Sequence, residues 1–175
     1  MIKELSLAEA AGRQIDVSFT ASTRFEVQVK RGPAGWTFTI VEQPLPEVFH
    51  KSYVDVPYEP YHGDARVFAW LEDGREVGYV TVGYQPWNQS AWVYFIGLAA
   101  PYRERGIGTK LMQQAEEVTR PHGARVLLLE TQSNNAAAVH FYLARGFDLV
   151  GINTKTYTNR DLERGEVYLC MGKEL

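Results

Sequence analysis

Arg103-Glu104-Arg105-Gly106-Ile107-Gly108 has the spacing R-x-x-G-x-G, and these residue types at this spacing suit one task, holding phosphate. Gly106 and Gly108 carry no Cβ, so backbone N–H groups can approach an anion closely. Taken alone, either arginine could equally be a solvated surface charge. A helical pattern opening at Thr109 would aim its positive end at the same anion. The alternative is a tight turn that needs glycine only for its geometry. Two other phosphate loops do not fit. A dinucleotide fingerprint, G-x-G-x-x-G, needs a third glycine where Leu111 stands, and no Gly-Lys pair is followed by Ser or Thr as a P-loop demands.

The remaining reactive side chains are sparse. His50, His62, His122 and His140 show no metal-ligand spacing, so a metal site is not expected. Cys170, the single cysteine, cannot form an intrachain disulfide and reads as a buried small hydrophobe. Trp36, Tyr84, Trp87, Trp92 and Tyr94 could wall a cation, although cross-strand packing is the commoner fate of such residues.

The elements that must position these groups follow from periodicity and turn chemistry. The apolar run Ala91 to Leu98 supplies a strand that Pro101 stops just before the loop. Ile107, Leu111, Met112, Ala115 and Val118 then recur at helical spacing until Pro121 and Gly123 end the helix. Val126 to Leu129 is continuously apolar, as a strand covered on both faces should be. Ser133 or Asn134 is expected to cap a helix carrying Ala138, Val139, Phe141 and Tyr142, with Gly146 as its stop. Upstream, Phe25 to Lys30 and Trp36 to Val41 read as a hairpin about Gly32 to Gly35. Pro44, Pro46, Pro57 and Pro60 mark a loop region in which Glu47 to Tyr53 could form a short helix. Arg66 to Leu71 and Glu76 to Tyr84 flank an Asp73-Gly74 hairpin turn. Phe147 to Ile152, Asn153 to Thr158 and Glu166 to Met171 read as further strands. Strands first and a strand–helix alternation later argue for an α+β fold around a central sheet.

Bulk properties are those of an ordinary globular protein. The chain has 175 residues, 45% hydrophobic and 22% charged, which suits one domain, residues 1–175, and argues against disorder. A net charge of -3 offers no broad basic field for nucleic acid. The first residues carry acids where a signal peptide wants apolar ones, and Ala91 to Ala100 is too short to cross a bilayer, so a cytoplasmic protein without a membrane partner is expected.

The order strand, R-x-x-G-x-G, helix, strand, then Asn135-x-x-Ala138-x-x-Phe141-Tyr142-x-x-x-Gly146-Phe147 resembles the acetyl-coenzyme A half of the GNAT superfamily of N-acetyltransferases. Leu129 to Asn135, Trp36 to Thr39 and Lys51 to Tyr53 resemble its streptothricin acetyltransferase branch. The resemblance implies a mixed, mostly antiparallel sheet flanked by helices, with a parallel strand pair that splays apart. It implies acetyl-CoA as cosubstrate, its pantetheine arm on the backbone of Leu98 and Ala100. The pyrophosphate would rest on the N–H groups of Arg105, Gly106, Ile107, Gly108 and Thr109, with Arg103 and Arg105 adding charge. Asn135 would bond the coenzyme or cap its helix. Tyr142 corresponds to the tyrosine that faces the coenzyme sulfur. A thiol near 8.5 and a phenol near 10 make full proton transfer uphill by roughly 2 kcal/mol, so hydrogen bonding to the thiolate matters as much as acid catalysis.

The acceptor side departs from the family pattern. An alkylammonium with a pKa near 10.4 is neutral about once in a few thousand molecules at pH 7, so its proton must be removed or steered. Many members use a glutamate on the strand before the loop, but Trp92 to Gly97 contains no carboxylate, and Tyr94 and Phe95 stand where the streptothricin branch carries an acidic pair. Glu130, at the C-terminal end of the next strand, is the best replacement, with a structural carboxylate as the alternative. The expected reaction is direct attack of a small-molecule amine, possibly streptothricin-like, on acetyl-CoA, in a monomer or homodimer. Acetylation of a protein or peptide amine, or a non-catalytic acetyl-CoA-binding module, are the rival readings.

Overall fold

The computed structural model describes all residues, Met1–Leu175. In chain order its elements are β1 (Ile2–Leu5), α1 (Leu7–Ala10), β2 (Ile15–Asp16), β3 (Phe19–Gly32), β4 (Gly35–Lys51), β5 (Val54–Asp55), β6 (Arg66–Glu72), β7 (Arg75–Gln85) and β8 (Ser90–Leu98). There follow α2 (Ile107–Thr119), β9 (Val126–Gln132), α3 (Ala136–Leu143), β10 (Asp148–Asn153), α4 (Asp161–Arg164) and β11 (Tyr168–Glu174). The sheet is mixed and mostly antiparallel with one parallel strand pair, β8 with β9, as an α+β GNAT-like fold requires. By internal contacts the chain forms two compact units, one of Met1–Phe19, Ser52–Leu129 and Lys173–Leu175, the other of Thr20–Lys51 and Glu130–Gly172.

In the first unit the strands run in the order β1, β6, β7, β8, β9. The β6–β7 hairpin turns at Asp73 and Gly74, both at positive φ (48° and 74°), the primed geometry that matches strand twist. Leu5, Ala10, Ile15, Val67, Ala69, Tyr79 and Phe95 form one buried cluster. The apolar stripe of α2 places Ile107, Leu111, Met112 and Ala115 inward, and the helix lies against β6, β7 and β8. Residues 120–122 make a short 3₁₀ turn containing Pro121, and Gly123 at φ 78° closes it. The helix therefore starts two residues earlier than the sequence suggests, because Gly106 itself is the N-cap.

In the second unit β3 and β4 form a long two-stranded ribbon of 14 and 17 residues. The short helix expected within Glu47 to Tyr53 is absent, since β4 runs on through Lys51. Its prolines explain why. Residues before proline are driven to extended backbone, so Gln43 and Leu45 keep the chain straight through Pro44 and Pro46. Val27, Val139, Val167 and Leu169 make the unit's buried cluster. β10 and β11 pair antiparallel with a bulge between Leu149 and Gly151. Asn153 to Thr158 is not a strand beyond Asn153. Asn153 Oδ1 accepts the Lys155 N–H at 3.0 Å and Asp161 captures the backbone at Tyr157 and Thr158, which bends the segment into turns.

Candidate active site

The phosphate loop belongs wholly to the first unit. A 3₁₀ turn, Ala100–Tyr102, leaves β8, and the backbone then reaches positive φ at Glu104 (60°) and Gly106 (76°) before α2 begins. A left-handed residue at the N-cap is cheap only for glycine. Gly106 offers no side-chain cap, so the first N–H groups of α2, beginning with Ile107 and Gly108, lack an intrahelical acceptor and point along the helix axis. Their environment is that of an anion seat.

The strand before the loop supplies an open edge. The parallel pairing runs only from Ser90 opposite Val126 to Val93 opposite Leu129, while β8 continues to Leu98. The Ala99 N–H donates to the Val77 carbonyl at 3.0 Å, so Ala99 and Gly97 face β7 and the alternate residues, Ile96 and Leu98, turn their peptide groups to the opposite edge. No strand pairs with them there. Arg103 uses this edge: its Nε donates to the Leu98 carbonyl at 3.0 Å and its Nη1 to the Ser18 carbonyl at 2.8 Å. Arg103 thus braces the end of β8. Arg105 is exposed, its guanidinium 5.3 Å from the Tyr102 ring centroid.

The second unit carries the candidate proton-transfer groups. Tyr142 on α3 is buried, in edge contact with Phe141 and Phe147 at 5.3 and 5.9 Å between ring centroids. Burial raises its phenol pKa well above the ordinary tyrosine value and the Glu130 charge raises it further, partly countered by Arg145. Tyr142 therefore stays protonated throughout the working pH range, and transfer of its proton to a thiolate is steeper than reference values suggest. Asn135 is the α3 N-cap, its Oδ1 accepting the Ala138 N–H at 3.2 Å. The cap is thus neither Ser133 nor Asn134. Ser133 is buried, its hydroxyl accepting the Val167 N–H at 2.9 Å, while the buried Oδ1 of Asn134 accepts no hydrogen bond.

Glu130, exposed near the end of β9, accepts a hydrogen bond from the Tyr157 hydroxyl. Burial, then that bond and the Glu130 charge, push the Tyr157 phenol far up. Tyr168 is pushed up to about 12 by burial, with Cys170 and Glu130 adding to it. Cys170 is half-buried rather than enclosed, and burial raises its thiol as well. Tyr157 was missed because its pairing with Glu130 joins residues 27 apart in sequence, with no local signature.

The aromatic wall does not assemble as a set. Trp87 is 82% exposed and Trp36 is 65% exposed under Arg31. Tyr84 stacks on His122 at 5.6 Å between centroids. Tyr94 stacks on His62 at 4.6 Å and accepts from Gln85 Nε2 at 2.9 Å. Burial lowers the His62 pKa, so that ring is a neutral packing group at pH 7. No group of three His, Cys, Asp or Glu side chains is placed to hold a metal ion. No helix is long and apolar enough to cross a membrane.

With strand, loop, helix and tyrosine in place, the model of the Acetyltransferase (GNAT) family matches residues 37–147. The chain belongs to the GNAT acetyltransferase family. This GNAT protein is similar to the streptothricin acetyltransferase of Streptomyces lavendulae, 35% identical over 90% of this chain and 85% of that one. It superposes on the crystal structure of nourseothricin acetyltransferase with a TM-score of 0.81 at 32% identity, covering 99% of this chain and 97% of that one. A Bacillus anthracis protein solved in complex with acetyl coenzyme A shares the fold, with a TM-score of 0.78 at 24% identity over 100% of this chain and 98% of that one. The family resemblance and its streptothricin branch are thus both borne out.

Proposed function

We propose that this GNAT acetyltransferase moves the acetyl group of acetyl-CoA to a primary amine of a small molecule, with a streptothricin-type antibiotic as acceptor. The observation that carries the coenzyme half is the open edge of β8 beyond Val93, leading to an N-cap glycine at positive φ. Peptide groups of Leu98 and Ala100 take the pantetheine arm. The N–H groups of Arg105, Gly106, Ile107, Gly108 and Thr109 take the pyrophosphate, with the exposed Arg105 guanidinium adding charge. Arg103 acts by bracing the Leu98 carbonyl. Asn135 fixes the start of α3, which carries Tyr142.

Chemistry follows from these assignments. The amine attacks the thioester carbon directly, because no nucleophile motif offers a covalent intermediate. Tyr142, held protonated, donates to the sulfur as negative charge develops. Glu130 accepts a proton from the acceptor side. The acceptor class is supported by the likeness to the streptothricin and nourseothricin enzymes. Residues 1–175 work as one catalytic domain in the cytoplasm.

The test combines titration calorimetry of acetyl-CoA with thiol release in the presence of streptothricin. Coenzyme binding with streptothricin-dependent thiol release is expected. Binding without release for streptothricin and simple alkylamines refutes the enzyme reading. Release with lysine peptides but not with streptothricin refutes the acceptor class.

A further inference from the structure

We propose that Tyr157 is the acceptor-side catalytic residue, taking a proton from the substrate ammonium on its phenol oxygen while passing its own hydroxyl proton to Glu130. The proposal rests on the acetyltransferase reading above and adds to it the group that meets the amine.

The hydrogen-bond inventory leads there. A phenol has one donor, and that of Tyr157 is committed to the Glu130 carboxylate. Its oxygen is then left as an acceptor, so what binds next to it must be a donor. Glu130 has no cation within ion-pair distance. The neighbouring carboxylate whose charge also reaches Tyr157, Glu166, is already matched by Lys51, which further donates to Gln132 Oε1 at 3.0 Å. A carboxylate with a bridging phenol and no counter-ion suits one ligand class, a primary alkylammonium. Exposure of Glu130 leaves the pair reachable from solvent.

Tyr157 is also held rather than merely present. Asp161, 1% exposed, accepts the Tyr157 N–H at 3.0 Å, the Thr158 N–H at 2.6 Å and the Thr158 hydroxyl at 2.7 Å. Three donors on one buried carboxylate fix the backbone at Tyr157, so its ring does not need Glu130 to keep its place. Asp161 is the positioning residue of the pair.

The protons balance in two steps. First an ammonium N–H bond breaks and a bond forms to Tyr157 Oη, while the original Oη proton moves to Glu130, leaving a neutral amine. Glu130 then discharges to solvent. Next the nitrogen forms its bond to the acetyl carbon and the C–S bond breaks. The sulfur leaves as a thiolate that accepts a hydrogen bond from the Tyr142 hydroxyl, the nitrogen sheds its second proton to solvent, and the thiolate is protonated from solvent.

The experiment compares wild type with Tyr157→Phe in acetyl-CoA calorimetry and in thiol release with streptothricin between pH 7 and 9.5. Acetyl-CoA affinity should not change. At pH 7 kcat/KM for the amine should fall about 100-fold or more, the usual range for losing proton transfer. The deficit should shrink steadily towards pH 9.5, where more amine arrives neutral. The charges of Glu130 and Glu166 reach Tyr157, that of Glu130 also reaches Tyr142, Tyr168 and Cys170, and Lys51 pairs with Glu166; these groups are unchanged in the variant and affect both proteins alike. Glu130→Gln should show the same pH-dependent deficit, and the double variant should be no worse than either single one. A deficit under threefold at pH 7, a deficit independent of pH, or loss of coenzyme affinity overturns the proposal. An inactive wild type instead refutes the underlying function.

Discussion

Replacing Gly106 with alanine isolates the cost of the loop's backbone. A Cβ built there meets no atom within 4 Å, so steric crowding contributes nothing and the whole effect comes from φ 76° and ψ -2°. An L residue in that region is strained by about 1–2 kcal/mol, while alanine stiffens the unfolded chain and returns about 0.4–1 kcal/mol. The net loss is about 1 kcal/mol, which in a chain of this size lowers Tm by about 2–4 °C. Free protein can escape the strain by turning φ negative, which re-aims the Ile107 N–H. Strain shed in this way spares Tm and must be restored when coenzyme binds, so one total of about 1–2 kcal/mol divides between the two measurements and weakens Kd by at most about 5- to 30-fold. Gly106→Asn is the control, since asparagine tolerates the left-handed region. Scanning calorimetry and acetyl-CoA titration should rank glycine first, asparagine next and alanine last in both measurements. Alanine equal to glycine, or asparagine as poor as alanine, refutes the reasoning.

Tyr142→Phe should lower kcat by about 10-fold or more with acetyl-CoA affinity unchanged, because only the sulfur-facing hydroxyl is lost; equal turnover removes Tyr142 from the mechanism. Gly78→Ala should lose about 1–3 kcal/mol in denaturant unfolding, since the added Cβ would lie 2.2 Å from Leu98 Cδ2 and 2.9 Å from the Gly97 carbonyl oxygen. Burial pushes the Asp161 carboxyl up, but the Thr158 hydroxyl and the N–H groups of Tyr157 and Thr158 outweigh it and hold the pKa below the ordinary aspartate value. A lowered folded pKa gives stability that is present above about pH 3.9 and lost as pH falls toward the folded value. Asp161→Asn should therefore flatten this acid limb of the Tm–pH curve, and a curve parallel to wild type contradicts the assignment.

What the sequence revealed was local. The Asp73-Gly74 turn, the α2 stripe and the apolar run of β9 each declare themselves within a dozen residues, and the two ordered motifs carried the family. The failures were tertiary or positional. Glu47 to Tyr53 reads as a short helix only from its place in a proline-marked loop region, whereas its Val48, Phe49 and Tyr53 favour a strand and two prolines upstream set an extended course that the ribbon continues. Asn153 to Thr158 alternates like a strand, yet its path is decided by Asp161, whose grip is invisible to periodicity. Ser133, Asn134 and Asn135 are equally good caps by type, and only the bond from Ala138 separates them. Glu130 was legible as a strand-end acid, whereas its phenol partner required the folded chain.

The β3–β4 ribbon also bears on solubility. A 17-residue strand in a two-stranded ribbon offers a free flank on which another chain could zip, and its exposed Trp36, Phe38 and Val41 would reward such growth. Pro44 and Pro46 lie two apart, so both missing N–H groups belong to the same flank, and strands tolerate proline where that flank faces solvent. An invading β-strand would find two successive donors gone at mid-length. The same two rings that straighten the ribbon thus guard it against fibrillar aggregation.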